Sequence, residues 1–389
     1  MEIELESEVQ SIGQENVKEK KTKEKVKYYS LKNILKYKAV YNILIGERSN
    51  GKTYAVIDYM LKDYCENGNQ CALVRRWDVD YKGKRSRTMF ANHVNNGLVK
   101  KYTKGQWDTI AYMSDAWYLA RYDQNLKKLI LNEDVFCYGF ALNNQEHDKS
   151  TSYPRIKTIF FDEIITRRLY LQDEFVICMN TFSTIIRDRG DVTIFMAGNT
   201  VNKYCPYFTE MGLTYITRMK KGTIDLYKYG DSELTVAVEF TDFPQRNKKS
   251  DKYFAFNNPK LQMITSGAWE IALYPHLPME YKNAKIAFIY FIIFGIDTLQ
   301  CEVMSYKGIY FTYIHKKTTP LKNKDKDLIF SQDYNHKPNW RRKLTKPYDE
   351  LGKKIKWFFN NDKVFYQDNE VGEIVRNYIN WSDTDRGIQ

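Results

Sequence analysis

Apolar positions along this 389-residue chain change their period several times. Met1 to about Lys27 is charged throughout and has no hydrophobic period, which predicts a mobile N-terminal tail over 1–27 and no secretory signal. From Tyr28 onward, short continuous apolar runs alternate with stretches of helical period. "AVYNILI" (Ala39 to Ile45), "CALVRRW" (Cys71 to Trp77), "DVFCYGFAL", "KTIFFDE" and "VTIFMAGN" read as buried strands. Helices are expected from Gly51 to about Asn67-Gly68 and from Gln172 to Ile186. Strand alternating with helix predicts an α/β domain over 28–241 with a mostly parallel sheet covered on both faces. The more polar Lys82 to Ile130 fits an excursion or a lid.

Beyond about Thr241 the texture changes. "DFPQRNKKSDKYFAFNNPK" is polar, basic and rich in turn residues, so 242–284 is expected to be a linker. A second, smaller mixed domain should fill 285–389. Its expected strands are Ile286 to Ile296, about Gln300 to Ser305, "GIYFTYIH" and "DLIFSQDY", with helices around Leu351 and Val371. "IAFIYFIIFGI" is too short to cross a membrane, which takes roughly twenty residues. The net charge of +12 suits a polyanionic partner or a solvated basic surface. Six cysteines without a CxxC pair read as reduced thiols of a cytoplasmic protein, and five scattered histidines suggest no zinc site.

The chemistry is concentrated between the first strand and the first helix. Gly46-Glu47-Arg48-Ser49-Asn50-Gly51-Lys52-Thr53 fits G-x-x-x-x-G-K-[ST] and has a strand before it and a helix after it. Backbone N–H groups from Gly46 to Thr53 would wrap the phosphates of ATP, Lys52 would bridge the β- and γ-phosphates, and the Thr53 hydroxyl would bind Mg²⁺. "KTIFFDE" supplies the acids that such a loop needs. Asp162 would hold the Mg²⁺ through water, and Glu163 would orient and deprotonate the attacking water. The adjacent Glu indicates the hydrolytic, ASCE/RecA-like branch of P-loop proteins. Asn199, at the tip of "VTIFMAGN", either senses the γ-phosphate or is a turn residue. In "IIRDRG", Arg187 and Arg189 are either solvated or in reach of a neighbouring subunit's nucleotide.

Several runs then match a known pattern in order and spacing: "LVRRW", "HDKSTSYPRIKTIFFDEII", "IIRDRGDVTIFMAGN" followed by "CPYF", and "FYQDNEVGEIVRNYI". They resemble the DNA-packaging ATPases of phi29-like podoviruses, densely from about Tyr28 to Phe208 and patchily in the last hundred residues. The resemblance implies a ring motor, expected to be a pentamer, that drives double-stranded DNA through the portal into a procapsid in the host cytoplasm. It places Arg187 as the arginine finger offered to the next subunit and Lys149 as a second basic residue across that interface. Arg48 matches a family arginine in the phosphate loop. It also implies an RNase H-like C-terminal domain without cutting activity, in which Asp297, Asp333 and Asp368 would be remnants of a metal site. Basic stretches such as "WRRKLTKPYDELGKKIKW" suit phosphates of DNA or of a packaging RNA. A nucleic-acid-stimulated helicase and a large-terminase ATPase/nuclease are the alternatives that share the nucleotide motifs.

Overall fold

The computed structural model describes residues 29–48, 50–144, 151–166, 170–171, 173–200, 205–242 and 274–384. The N-terminal tail and most of the expected linker therefore lie outside the described residues. In chain order the first unit contains β1 (Tyr41–Gly46), α1 (Lys52–Asn67), β2 (Gln70–Arg75), three short helices α2 (Lys84–Thr88), α3 (Ala91–Asn95) and α4 (Leu98–Tyr102), then β3 (Thr109–Met113), β4 (Ala116–Asp123), β5 (Lys128–Ala141), β6 (Ile156–Asp162), α5 (Glu174–Ile186), β7 (Thr193–Asn199), α6 (Pro206–Glu210), β8 (Ile224–Lys228) and β9 (Thr235–Phe240).

Its nine strands run in the order β3-β4-β5-β2-β6-β7-β1-β9-β8. The six from β5 to β9 in that order are mutually parallel, and β3, β4 and β8 attach antiparallel at the two edges. The parallel block is buried on both faces, which is why its strands read as unbroken apolar runs. Ile43 and Ile45 of β1 face a core shared with Phe182 and Tyr207, while Leu44 faces the opposite core with Val56 and Met60 of α1. Helix α1 contributes Val56, Ile57, Met60, Leu61 and Tyr64, one stripe of a 3.6-residue period. It stops at Gly68, whose left-handed backbone donates to the Tyr64 carbonyl.

Residues 82–130, expected as an excursion, do more than cover the domain. They form α2, α3 and α4, and they add β3 and β4 to the sheet. The strands β8 and β9, which the sequence pattern did not single out, close the other edge.

The second unit contains β10 (Lys285–Phe294), β11 (Asp297–Tyr306), β12 (Ile309–Lys316), β13 (Ile329–Ser331), β14 (Trp340–Arg341), α7 (Glu350–Asn360), β15 (Val364–Tyr366) and α8 (Asn369–Thr384). Its sheet order is β14-β13-β10-β11-β12-β15. The central β10 is antiparallel to β11 and parallel to β13. Alternate residues Tyr290, Ile292 and Phe294 pack on Ile355 and Phe358 of α7 and on Val371, Val375 and Tyr378 of α8. Asp349 caps α7 through the Gly352 N–H and also pairs with both terminal nitrogens of Arg341.

Candidate active site

The parallel strands end on one side of the sheet, and register decides which tips meet there. Gly46 stands opposite Asn199, and Asp162 stands opposite Ala197. Val74 stands opposite Phe161, so Arg75, one residue on, comes beside Asp162. A cleft of about 410 Å³ opens over these tips, lined by Asn50 to Thr53, by Asp162 and Glu163, and by Ala197 to Asn199. Crevices at the carboxyl ends of parallel strands are where open α/β sheets take ligands.

Gly51, with φ of 93°, turns the chain into α1, so that the helix begins at Lys52 with its first N–H groups free of intrahelical partners. Lys52 is buried, and its ammonium donates to the Glu47 carbonyl at 2.7 Å, to Asn50 Oδ1 at 3.1 Å and to Asn199 Oδ1 at 3.2 Å. Burial pushes its pKa down to about 8, against the pull of Asp162 and Glu47. A phosphate oxygen entering the loop would replace one of these protein oxygens and favour the charged form.

Thr53 donates its hydroxyl proton to Asp162 Oδ1 at 3.1 Å. Burial raises the Asp162 carboxyl above its ordinary value and Glu163 adds to this, while Arg75, Thr53 and Lys52 pull it down. Arg75 reaches Asp162 Oδ2 at 2.8 Å and Glu163 Oε2 at 3.2 Å. One guanidinium thus holds both acids. Glu163 has its carboxylate largely exposed and its backbone at φ 68°, a left-handed conformation uncommon for this residue type. Its carbonyl accepts from Arg76 Nη1 at 3.1 Å, and the Ile164 carbonyl accepts from Arg76 Nη2 at 3.2 Å. Arg76 is in turn gripped by both oxygens of the buried Glu174, at 2.7 and 2.8 Å, and Tyr207 donates to the same carboxylate at 2.9 Å. This satisfied buried network fixes the backbone on which Glu163 sits.

Met89, Asn92 and His93, from the excursion, complete the cleft wall. His93 stacks on Tyr54 with ring centroids 4.1 Å apart, and its Nε2 lies 3.0 Å from the Tyr54 carbonyl. None of these was singled out from sequence, since nothing local marks them. Arg75 and Arg76 stood in plain view in "LVRRW", but the acids that hold them lie far along the chain.

Other expected residues fall elsewhere. Arg48 lies on the exposed turn of the loop. Ser49 and Lys149 are outside the described residues. Arg187 is exposed at the end of α5, donates to the Thr151 carbonyl at 2.9 Å, and does not line the cleft. Arg189 differs from it. Its guanidinium is spent on the carbonyls of Ile185, Ile186, Pro154 and Ile156, so it is a structural brace. In the second unit, Asp297 pairs with Lys316 at 3.8 Å, Asp368 caps α8 through the Val371 N–H, and the Asp333 N–H bonds Ser331 Oγ. Among the described residues no group of three or more His, Cys, Asp or Glu could hold a metal ion. A larger cleft, about 570 Å³, separates residues 205–218 from Asp297, Lys316 and α8 and lies away from the phosphate-loop residues. Among the described residues no helix is long and apolar enough to cross a membrane. All six cysteines are free thiols.

Comparison with known proteins gives a consistent result. The family model for podovirus DNA encapsidation protein (Gp16) matches residues 23–380. The DNA packaging protein of Bacillus phage B103 is 23% identical over 218 residues, covering 55% of this chain and 60% of that protein. The DNA packaging protein of Bacillus phage phi29 is 25% identical over 189 residues, covering 48% of this chain and 50% of that protein. These matches thus span about half of the curated relatives' length. Among solved structures, the phi28 gp11 DNA packaging motor is similar with a TM-score of 0.53 at 18% identity, covering 94% of this chain and all of that one. The phi29 genome packaging motor assembly gives 0.52 at 19% identity, covering 90% and 96%. At such identities the structural likeness bears on the fold.

Proposed function

This chain belongs to the podovirus DNA encapsidation protein family, and we propose that it is an ATP-hydrolysing motor that moves viral double-stranded DNA through the portal into the procapsid. The observation that carries the reading is the meeting of Lys52, Thr53, Asp162, Glu163 and Asn199 around one cleft at the strand tips. The residues present fit a magnesium triphosphate. A buried ammonium and the N-terminus of α1 line the cleft, and a buried carboxyl raised by desolvation already accepts from Thr53. Mg²⁺ between Thr53 and Asp162 would neutralise charge on the β- and γ-phosphates.

In this scheme Lys52 binds the terminal phosphates and Asn199, its 3.2 Å partner, registers whether the γ-phosphate is there. Glu163 orients the attacking water and takes its proton. Arg75 holds that carboxylate in position and ties it to Asp162, while Arg76 and Glu174 keep its backbone in place. Arg187, exposed and outside the cleft, suits a finger offered to the neighbouring subunit of a ring, which we read as a pentamer.

We read 28–241 as the P-loop ATPase domain and 285–389 as an RNase H-like domain. The second sheet supports this, because counted from β10 its order is 5-4-1-2-3 with strands 4 and 5 parallel to strand 1 and β15 added outside strand 3. Lys316 pairs with Asp297 and also feels the charge of Asp368, Asp368 caps α8, and β10 carries no carboxylate, so we assign this unit to binding DNA, portal or a packaging RNA and not to cutting. The test is nucleotide binding by calorimetry. Lys52→Ala should abolish it, since it removes the cation between the terminal phosphates, and equal affinity of variant and wild type would refute the site.

A further inference from the structure

Lys52 is held in place by its neighbours. Asn50 offers it an oxygen only if its amide is turned one way, because the other end of the same group is an NH₂ that would repel an ammonium. The amide is turned by a residue 191 positions along the chain. Asn50 Nδ2 donates to Thr241 Oγ1 at 2.6 Å, and Thr241 Oγ1 donates its own proton to the Ile45 carbonyl at 2.9 Å. A hydroxyl has one proton. With that proton committed to Ile45, Oγ1 has only lone pairs to present to Asn50, so the amide nitrogen must face Thr241 and Oδ1 must face Lys52. Oδ1 accepts from both the Lys52 ammonium and the Lys52 backbone N–H, at 3.1 and 3.3 Å.

The arrangement is enclosed. Thr241 is 2% exposed and Asn50 is 7% exposed. Gly46 sits against it with φ of 150°, and a Cβ there would lie 2.2 Å from Thr241 Oγ1. The first glycine of the loop therefore leaves room for this hydroxyl.

We infer that Thr241 is a positioning residue for nucleotide binding, which acts through Asn50 to set the Lys52 ammonium where terminal phosphates arrive. The inference rests on the phosphate-loop reading above and adds to it a residue outside the loop. It is tested on the full chain by titration with a fluorescent ATP analogue in Mg²⁺, with thermal midpoints measured alongside. Thr241→Val should raise Kd about five- to thirtyfold, the factor expected when a buried donor loses its partner, whereas Thr241→Ser should stay within about twofold. Thr241→Ala takes the place of the valine variant if its extra methyl does not fit beside Gly46. In an Asn50→Ala background the threonine substitution should change Kd little, because the path it acts through is gone.

Wild-type affinity in the hydroxyl-free variant, equal weakening by Thr241→Ser, or independent effects in the double variant would each overturn the inference. The two levels separate cleanly. If Lys52→Ala binds normally, the phosphate-loop reading fails and takes this one with it. If Lys52→Ala loses binding while Thr241→Val keeps it, only the positioning role fails.

Discussion

In the proposed scheme Glu163 is the residue on which hydrolysis turns, and its surroundings are unusual. It combines a left-handed backbone, an exposed carboxylate and a guanidinium 3.2 Å away. Glu163→Gln keeps the shape and removes the charge that would accept a proton. ATP affinity should stay at the wild-type level while turnover falls about 10²- to 10⁴-fold, measured by steady-state hydrolysis beside calorimetric binding. At this scale the sequence was legible wherever the cleft residues are contiguous in the chain. The loop Gly46 to Thr53 and the pair Asp162-Glu163 stand out because each is a run of neighbours in the chain, and the structure brings them to one cleft. Arg75, Arg76 and Thr241 did not stand out, since their partners lie 87, 98 and 191 residues away, respectively. A lone arginine or threonine carries no local mark of such a contact.

Elements show the same division for a different reason. Five strands of the parallel block, β1, β2, β5, β6 and β7, were readable because burial on both faces leaves apolar runs, whereas the sixth, β9, carries Glu239 within it and was missed. Strands β3 and β8 were missed because, at the sheet edges, their residues are only half-buried or exposed and the period weakens. In the second unit, neighbouring strands β11 and β12 carry a pair that gives a pH-dependent prediction. His315 Nε2 lies 3.3 Å from Glu302 Oε1, and Gln300 donates to the same oxygen at 2.7 Å. The hydrogen bond to Glu302 raises the His315 pKa above 6.5 against the opposing effect of burial, and the same bond lowers Glu302 below 4.5. The histidine contribution is complete below 6.5 and is lost as pH rises through the raised value. The glutamate contribution is complete above 4.5 and is lost as pH falls through the lowered value. The pair therefore stabilises most between 4.5 and 6.5. His315→Gln should lower the thermal midpoint more at about pH 5.5 than at about pH 8. An equal shift at both would remove the charge from the account.

At the scale of the whole molecule, a finger in trans requires subunits to act on one another. Arg187 is exposed, lies outside the cleft of its own chain and donates to the Thr151 carbonyl. A finger in trans supplies about 10³ to 10⁵ in rate. Arg187→Ala should bind ATP normally and hydrolyse it poorly, and mixing it with Glu163→Gln should recover part of the hydrolysis at interfaces that pair the two intact residues. No recovery at any mixing ratio, under conditions where the ring assembles, would return Arg187 to a role within its own subunit. A motor of this kind translocates DNA, and protection of DNA from nuclease when the protein is added to procapsids reads that movement out. Wild-type protein should protect full-length double-stranded DNA only when ATP is supplied, and the Lys52→Ala and Glu163→Gln proteins should protect none. DNA left fully digestible by a protein that is assembled on the portal and hydrolysing ATP would contradict the account.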